Sequence, residues 1–305
     1  MRNNLDGFIT NKNAMTLRIL VIHNPVAGRQ RRKKLRELLQ YLQDGGHQVM
    51  VRPTARRGDA REEARLAKDI DVIVAAGGDG TVNEIVDGLA AKAPDGDLPA
   101  VAFLPLGTAN VLAWELNLPR SPRALVEVIE RKRTLDVMPA IANGRRFFLM
   151  ASVGLDARAV AAVKDATKRL LGGAAYALAA LRALRKPPPR FTVHVDDHAT
   201  EARSVIVTRA RRYGGPFTLA PDAGLETTAL HVVLMKSYGL LAALRYGLAL
   251  AMGRLHRLSD VSVTTGNRIR IEGSDGDPVQ MDGDVVSTVP LSITMAERSV
   301  PFLVP

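Results

Sequence analysis

The first 135 residues alternate between short apolar runs and amphipathic helical patterns. Apolar runs such as Leu17–Ile22 and Val72–Ala76 predict buried strands, and apolar residues recur every three or four positions in Lys33–Leu42. This alternation predicts a parallel sheet with helices on both faces. In the helix predicted after Gly58, Asp59 is the expected N-cap. Ligands of such folds bind beyond the carboxyl ends of the strands.

After about residue 135 the pattern changes to short β-type runs separated by turns. Examples are Phe191–Val195, Ser204–Thr208 and Leu230–Met235. Two helical stretches, Asp165–Leu184 and Tyr238–Leu255, interrupt the strands. The sequence therefore predicts an α/β domain followed by an antiparallel β domain with helical insertions.

The composition is that of a globular protein with two domains. The chain has 305 residues, of which 47% are hydrophobic and 24% are charged. It has no cysteine, which excludes disulfides, thiolate metal sites and cysteine nucleophiles. No apolar run reaches the ~20 residues of a membrane span, and the first 15 residues lack the apolar region of a signal peptide. We therefore expect a cytoplasmic protein.

The net charge of +11 is concentrated in the middle of the chain. Residues 145–258 carry 18 basic and 7 acidic side chains. Such a segment either attracts a polyanion, namely nucleic acid, an anionic membrane surface or a phosphate-rich ligand, or serves only solubility. Aromatic residues make up only 4% of the chain, so the stacking platform of a single-stranded nucleic-acid binder is missing. No nucleic-acid partner is expected.

The strongest local motif is AAGGDGTVN at Ala75–Asn83, where an apolar strand enters a glycine turn and a helix follows. Glycines let the backbone approach a ligand closely, and the helix N-terminus offers unpaired N–H groups to a phosphate. A tight turn without a ligand is the alternative interpretation. Neither GxGxxG nor GxxxxGK[ST] occurs, so the motif is not that of a dinucleotide or P-loop site.

Three further loops follow the other predicted strands of this half. They are His23–Gly28, Arg52–Thr54 and Pro105–Asn110. Each alone reads as an ordinary βα turn. Together with the glycine turn they place polar groups and glycines along one edge of the sheet, which indicates a nucleotide site.

At this point the chain resembles the soluble bacterial diacylglycerol kinases and related lipid kinases, which are relatives of sphingosine kinase. The motifs that carry the resemblance are Asn24-Pro25 with Gly28, Thr54 with Gly58-Asp59-Ala60, Gly77-Gly78-Asp79-Gly80-Thr81 with Asn83-Glu84, Pro105-Leu106-Gly107-Thr108-Ala109-Asn110, Gly154-Leu155-Asp156-Ala157, Gly214-Gly215-Pro216 and Asp282-Gly283-Asp284. The GGDGT element alone would also fit NAD kinases and, more distantly, phosphofructokinases. Asn83-Glu84 together with PLGTAN narrows the match to the lipid kinases.

The resemblance implies transfer of a phosphoryl group from ATP to a lipid hydroxyl, with Mg²⁺ as cofactor. The residues it implies for ATP binding are Asn24, Thr54, Gly77, Gly78, Asp79, Gly80, Thr81, Asn83, Gly107 and Thr108. Asp79 is also the candidate Mg²⁺ ligand, directly or through water. The alternative role of Asp79 is to accept hydrogen bonds from backbone amides.

The resemblance also implies a general base in the turn Asp282-Gly283-Asp284. The usual family pattern is Asp-Gly-Glu, so Asp284 is one methylene shorter than expected, and either Asp282 or Asp284 can be the base. Without the resemblance, the sequence of this turn predicts only a β-hairpin, because Asp-Gly favours hairpin turns.

A second family feature is lost in this chain. Some members bind a structural Mg²⁺ through a loop of the form Leu-x-x-Asp-Gly-Leu, and the matching stretch here is Leu225–Leu230. Thr228 replaces the metal-binding aspartate and Ala229 the glycine. Because Mg²⁺ prefers charged oxygen ligands, we expect this metal site to be absent or much weakened.

The predicted domains are a nucleotide-binding domain over residues 1–137, rejoined by residues 298–305, and a lipid-substrate domain over 138–297. A lipid kinase visits a membrane, and the basic segment suits anionic headgroups at the inner membrane face. The candidate cations are Lys164, Lys168, Arg169, Arg182, Arg185, Lys186, Arg190, Arg211 and Arg212. The apolar stretches 170–184 and 240–252 either line the acyl-chain cleft and the interface or cover the β core.

Two other functions compete with the lipid kinase. One is a kinase of a soluble polyol or dinucleotide, as the distant relatives are. The other is a nucleotide-binding regulator that has lost catalysis, which the change at Asp284 and the missing metal aspartate both suggest.

Overall fold

The computed structural model of the chain describes residues 16–25, 29–92, 97–162 and 190–305. The predicted helix Asp165–Leu184 and Gly28 lie outside these ranges. So do six of the candidate cations, namely Lys164, Lys168, Arg169, Arg182, Arg185 and Lys186. Within the described ranges, no helix combines the length and the apolar character that crossing a bilayer requires.

The elements up to residue 137 alternate between strand and helix. In chain order they are β1 (Arg18–His23), α1 (Arg29–Asp44), β2 (Gln48–Pro53), α2 (Asp59–Leu66), β3 (Val72–Gly77), α3 (Asp79–Ala90), β4 (Ala100–Pro105), α4 (Val111–Glu115), α5 (Pro122–Arg131) and β5 (Thr134–Val137).

The elements after residue 137 are mostly strands. In chain order they are β6 (Ala140–Ala142), β7 (Arg145–Phe147), β8 (Met150–Val153), α6 (Leu155–Ala162), β9 (Phe191–Val195), β10 (His198–Ala202), β11 (Ser204–Thr208), β12 (Arg212–Tyr213), β13 (Phe217–Thr218), β14 (Leu230–Met235), α7 (Leu240–Ala251), a 3₁₀ turn (Leu255–Arg257), β15 (Val261–Gly266), β16 (Arg268–Glu272), β17 (Pro278–Met281), β18 (Asp284–Thr288), β19 (Leu291–Met295) and β20 (Val300–Leu303).

The first sheet has the strand order β2-β1-β3-β4-β20-β5. Its first five strands are parallel, and β5 pairs with β20 in the antiparallel sense. Helices cover both faces, because Leu38 of α1 and Ile129 of α5 pack on one side and Val82 and Ile85 of α3 on the other. The last strand of the chain therefore lies in the same sheet as the first strand, between β4 and β5.

The second domain is a sandwich of two antiparallel sheets. Their strand orders are β10-β9-β16-β19-β6-β7 and β15-β14-β11-β8-β17-β18. Side chains from both sheets, among them Phe147, Phe191 and Val207, form the core between them. Together with the parallel first sheet, this architecture confirms the predicted fold class.

The two domains share apolar packing at their junction. The rings of Phe148, next to β8, and Phe302 of β20 lie 6.5 Å apart and are tilted by 31°. Both belong to the cluster that also contains residues of α3. The cleft between the domains therefore has walls that rest on one continuous apolar core.

Candidate active site

The glycine turn between β3 and α3 forms part of one wall of the cleft. An added Cβ at Gly77 would lie 2.3 Å from Oγ1 of Thr81, so this glycine leaves room for the threonine side chain. At Gly80 an added Cβ meets no atom within 4 Å, and this residue lines the cleft. The N–H groups of Thr81 and Val82 donate to the Gly78 carbonyl at 3.0 and 3.3 Å. The N–H of Gly80 lies in the first turn of α3, where the helix dipole favours a bound anion.

A close backbone contact joins this turn to the loop after β4. A Cβ added at Gly107 would lie 2.7 Å from the Cα atom of Gly78, so only glycine allows this approach. Asn110 fixes the loop, because its Oδ1 accepts the Gly107 N–H at 2.9 Å and its Nδ2 donates to the Gly107 carbonyl at 3.0 Å.

The cleft has a volume of about 820 Å³ and brings together most of the predicted nucleotide-binding residues. Those that line it are Asn24, Thr54, Gly78, Gly80, Thr81, Asn83 and, from the second domain, Asp284. Gly107 and Thr108 line a neighbouring pocket of about 630 Å³ that also contains Arg31 and Lys34. Three of the residues predicted for the site, Gly77, Asp79 and Asp282, are not among those that line the cleft.

Asp79 accepts hydrogen bonds from the N-terminus of α4. Its Oδ2 binds the N–H of Val111 at 3.0 Å and its Oδ1 the N–H of Leu112 at 3.1 Å. Burial raises the pKa of this carboxyl above its usual range, although the two N–H donors act in the opposite direction. Asp79 thus ties the glycine turn to the loop that carries Gly107.

Asp282 holds the connection between β7 and β8. Its carboxylate accepts the N–H groups of Phe148, Leu149 and Met150 at 2.9–3.1 Å. These bonds hold the break between β7, which ends at Phe147, and β8, which begins at Met150. Burial raises the pKa of Asp282 to about 7, against the effect of the three donors, and the charge of nearby Asp79 adds to the rise.

The raised pKa of Asp282 predicts how stability depends on pH. The native state keeps a proton that the unfolded state releases near pH 4. The contribution of this carboxyl is therefore fully present below about pH 4 and is lost as the pH rises through about 7. We expect Asp282→Asn to lose less unfolding free energy than the wild type between about pH 5 and pH 7.5 in urea titrations. An equal or larger loss in the variant would contradict the assignment.

Asp284 projects into the cleft from the start of β18. Its side chain is 45% exposed and forms an ion pair with the guanidinium of Arg57, which lies in the loop before α2. The pair joins the two domains across the cleft. The two acidic residues of the turn therefore have different surroundings, since Asp282 binds backbone amides and Asp284 faces the cleft.

Glu84 has a structural role that its motif did not reveal. Its two carboxylate oxygens accept the N–H groups of Gly58 at 3.0 Å and Ala60 at 3.2 Å, so a side chain of α3 caps α2. The predicted N-cap Asp59 was wrong, because its carboxylate instead accepts the N–H groups of Ala55 and Arg56. In the sequence, the only indication that Glu84 matters is its place in the Asn83-Glu84 pair of the family motif.

The second domain also contributes cations that the sequence analysis did not select. Arg145 and Arg146 of β7 line the cleft. Nη1 of Arg146 lies 3.1 Å from a carboxylate oxygen of Asp87 in α3, and Arg61 of α2 binds the other oxygen at 2.8 Å. This network holds β7 against α3, so cations from both domains face the same space.

A separate apolar pocket of about 430 Å³ lies in the second domain. Its lining includes Ile206 and Leu219, and Ala242, Tyr246 and Leu250 contribute from α7. The lining is dominated by aliphatic and aromatic surface, which suits a hydrocarbon chain.

A chain of hydrogen bonds connects this pocket to the acidic turn. Asp156, at the start of α6, lines the pocket and accepts hydrogen bonds from Tyr213 and from Nε2 of Gln280, the latter at 3.0 Å. Oε1 of Gln280 accepts the N–H of Gly283 at 2.8 Å. The polar end of the apolar pocket is thus tied to the turn that carries Asp284.

The loop Leu225–Leu230, which has Thr228 and Ala229 in place of the metal-loop aspartate and glycine, surrounds a buried arginine. Arg209 donates to the carbonyl oxygens of Leu225 at 2.6 Å and Ala229 at 3.3 Å, and also to that of Thr227. Burial lowers the pKa of this guanidinium to about 10, so it remains charged at neutral pH. A side-chain cation therefore occupies the point on which these carbonyls converge.

Two families cover almost the whole described chain. The diacylglycerol kinase catalytic domain matches residues 18–140, and the YegS C-terminal NAD kinase beta sandwich-like domain matches residues 150–304. The diacylglycerol kinase of Bacillus subtilis is 29% identical over 297 residues, which are 94% of this chain and 96% of that protein. A Pseudomonas aeruginosa protein named "Probable lipid kinase YegS-like" is 31% identical over 223 residues, 71% of each chain.

Solved structures share the fold. A diacylglycerol kinase structure from Bacillus anthracis aligns with a TM-score of 0.72 at 23% identity and covers 94% of this chain and 97% of its own. Yeast NADH kinase, solved with NADH, aligns with a TM-score of 0.54 at 11% identity over 95% of this chain and 84% of its own. With both domains matched in order by their families, the chain belongs to the lipid kinase family defined by the diacylglycerol kinase catalytic domain.

Proposed function

We propose that this chain transfers the γ-phosphoryl group of ATP to the hydroxyl of a diacylglycerol or a closely related lipid. One observation carries the proposal. Asp284 lines the same cleft as Gly78 and Gly80, and its turn is hydrogen-bonded through Gln280 to Asp156 at the apolar pocket. The carboxylate of Asp284 thus shares a cleft with a turn suited to phosphates, and the backbone of its own turn is hydrogen-bonded toward a pocket suited to hydrocarbon.

The triphosphate would bind across the N-terminus of α3. Phosphoryl transfer depends mainly on positioning and on stabilising charge. The N–H groups of the glycine turn supply the first contacts, and the cations Arg57, Arg145 and Arg146 line the same cleft. Thr54 and Asn24 lie at the ends of β2 and β1 and would contact the rest of the nucleotide.

We propose that a magnesium ion arrives with the nucleotide and is bound largely by phosphate and water. Asp79, at the start of α3, is the carboxylate of the glycine turn that would act on it. Both oxygens of Asp79 already accept backbone N–H groups, so we propose that Asp79 acts through water. The ion would neutralise charge on the transferred phosphoryl group.

Asp284 would be the general base. Its carboxylate accepts the proton of the lipid hydroxyl, the hydroxyl oxygen attacks the γ-phosphorus, and the bond to the β-phosphate oxygen breaks to release ADP. Arg57 pairs with Asp284 in the cleft. Entering phosphate oxygens would give this guanidinium a second anionic partner, which frees the carboxylate for the proton.

The proposal is tested by incubating the purified protein with γ-labelled ATP, Mg²⁺ and a total lipid extract, and then identifying the labelled product. We expect a phosphorylated lipid with a glycerol-type hydroxyl. Label that passes only to glycerol or another soluble polyol would favour the soluble-acceptor kinase. Absence of transfer with retained ATP binding would favour a regulator that has lost catalysis.

Gly80→Ala tests the nucleotide site within the same assay. The added methyl meets no protein atom within 4 Å and projects into the cleft, so the fold should persist while phosphate is displaced. We expect ATP affinity to fall by about tenfold or more. Gly224→Ala is the matched control, because its Cβ meets only ordinary contacts at 3.6 Å or more. Unchanged ATP affinity in Gly80→Ala would show that the phosphates of ATP do not bind at the glycine turn.

A further inference from the structure

Helix α7 presents an apolar stripe to solvent. Leu241, Leu244, Leu248 and Met252 are 84, 61, 62 and 54% exposed, and Leu240 at 50% extends the stripe at its start. Intervals of three and four residues place these side chains on one side of the helix. Isolated exposed leucines are common, but a continuous stripe of this kind marks a surface that meets an apolar partner.

The other side of the same helix lines the apolar pocket. Ala242, Tyr246 and Ala249 are buried, and Ala242, Tyr246 and Leu250 contribute to the pocket wall. One helix thus separates the pocket from the exposed stripe. A partner that covers the stripe would lie directly beside the pocket.

The sequence around the stripe is rich in basic residues. Between Glu226 and Asp260 the sequence has no acidic residue, and four basic residues occur there, namely Lys236, Arg245, Arg254 and Arg257. All four are exposed, before, within and after α7. Arg245 pairs with Asp260, and Lys236, Arg254 and Arg257 are exposed cations in the segments that lead into and out of α7. This combination complements an anionic surface with an apolar interior.

We infer that α7 docks this protein on an anionic lipid bilayer, with its leucine stripe below the headgroups and its flanking cations among them. The helix has 12 residues, or about 18 Å, which is too short to span a bilayer and suits a helix that lies in the interface. The inference rests on the proposed function in one respect, namely that the pocket takes its lipid from that bilayer.

Vesicle binding tests the inference. In co-sedimentation with phosphatidylcholine vesicles that contain about 30% phosphatidylglycerol, the wild type should bind, and binding should weaken as salt is raised. Leu241→Ser with Leu244→Ser should weaken binding by about tenfold or more. Leu66→Ser is the matched control, since Leu66 is a leucine of α2 that is 55% exposed. Arg254→Ala with Arg257→Ala should also weaken binding, whereas Arg123→Ala, an exposed arginine of α5, should not.

A reporter in the stripe distinguishes insertion from surface attraction. Leu244→Trp should show a blue-shifted emission on vesicle addition and quenching by brominated acyl chains, over the constant signal of the single native tryptophan, Trp114. Equal vesicle binding by the leucine variant and the wild type would overturn the inference. So would a wild-type dimer that becomes monomeric in the leucine variant while neither binds vesicles.

The failure of docking and the failure of the proposed function give different results. The leucine variant should keep wild-type activity toward a short-chain diacylglycerol dispersed in water and lose activity toward acceptor embedded in vesicles. An equal loss of activity toward the dispersed and the embedded acceptor would show that the leucine variant does not act by impairing membrane docking, and would overturn the inference. Vesicle binding that depends on the stripe, without transfer to any lipid, would sustain docking and refute the proposed acceptor.

Discussion

Asp284→Asn is expected to lower the turnover of lipid phosphorylation by a factor of about 10²–10⁴, the usual contribution of a general base. The amide preserves the shape of the side chain but cannot take the hydroxyl proton. Stability should change little, because the ion pair with Arg57 joins two exposed side chains, 69% and 45% accessible. Turnover is measured with saturating ATP and dispersed lipid, and stability by urea unfolding.

Two controls separate a missing base from a disturbed turn. Asp284→Glu restores the usual family residue and should retain substantial activity. Asp275→Asn changes an exposed aspartate of the preceding loop and should leave turnover at the wild-type level. Wild-type turnover in Asp284→Asn would show that the proton goes elsewhere. Asp282→Asn is not an equivalent test, because it would disturb three backbone hydrogen bonds.

The architecture of the site was accessible from the sequence because local patterns encode it. The apolar run before Gly77 predicts a strand, and the glycine turn before Thr81 predicts its carboxyl end. The structure has the strand end at Gly77 and the helix begin at Asp79. Since parallel strands deliver their ends to one edge, Asn24 and Thr54 were predicted to join the turn, and both line the cleft.

The roles of the carboxylates were not accessible, because their partners are distant in sequence. Asp79 binds amides 32 and 33 positions away, and Asp282 binds amides 132 to 134 positions away. Nothing in the spacing of a motif states which N–H groups will reach its carboxylate in the folded chain. The sequence alone therefore does not state which of the two aspartates faces the cleft, and in the structure Asp284 does.

The surroundings of Arg209 also could not be predicted from the sequence, because its partners are backbone carbonyls 16 to 20 positions away. A buried guanidinium usually meets a carboxylate, because desolvating a lone charge is costly. Here the carbonyls of Leu225, Thr227 and Ala229 compensate the charge. Their convergence on one cation is an arrangement that also suits a metal ion. Arg209 therefore already supplies a cation to the loop Leu225–Leu230.

Because this loop needs no metal ion, we expect chelation of divalent ions to leave the midpoint of urea unfolding unchanged.

Arg209→Met should therefore destabilise the second domain more than any other single substitution considered for this protein. Methionine fills similar space but leaves three carbonyls without a donor, so the free energy of unfolding should fall by about 3–5 kcal/mol. Urea titration followed by circular dichroism measures the change. Arg123→Met, at an exposed position of α5, is the matched control and should stay within about 0.5 kcal/mol of the wild type. A loss below about 1 kcal/mol in Arg209→Met would mean that water satisfies these carbonyls equally well, and that the arginine is not the cation on which the loop depends.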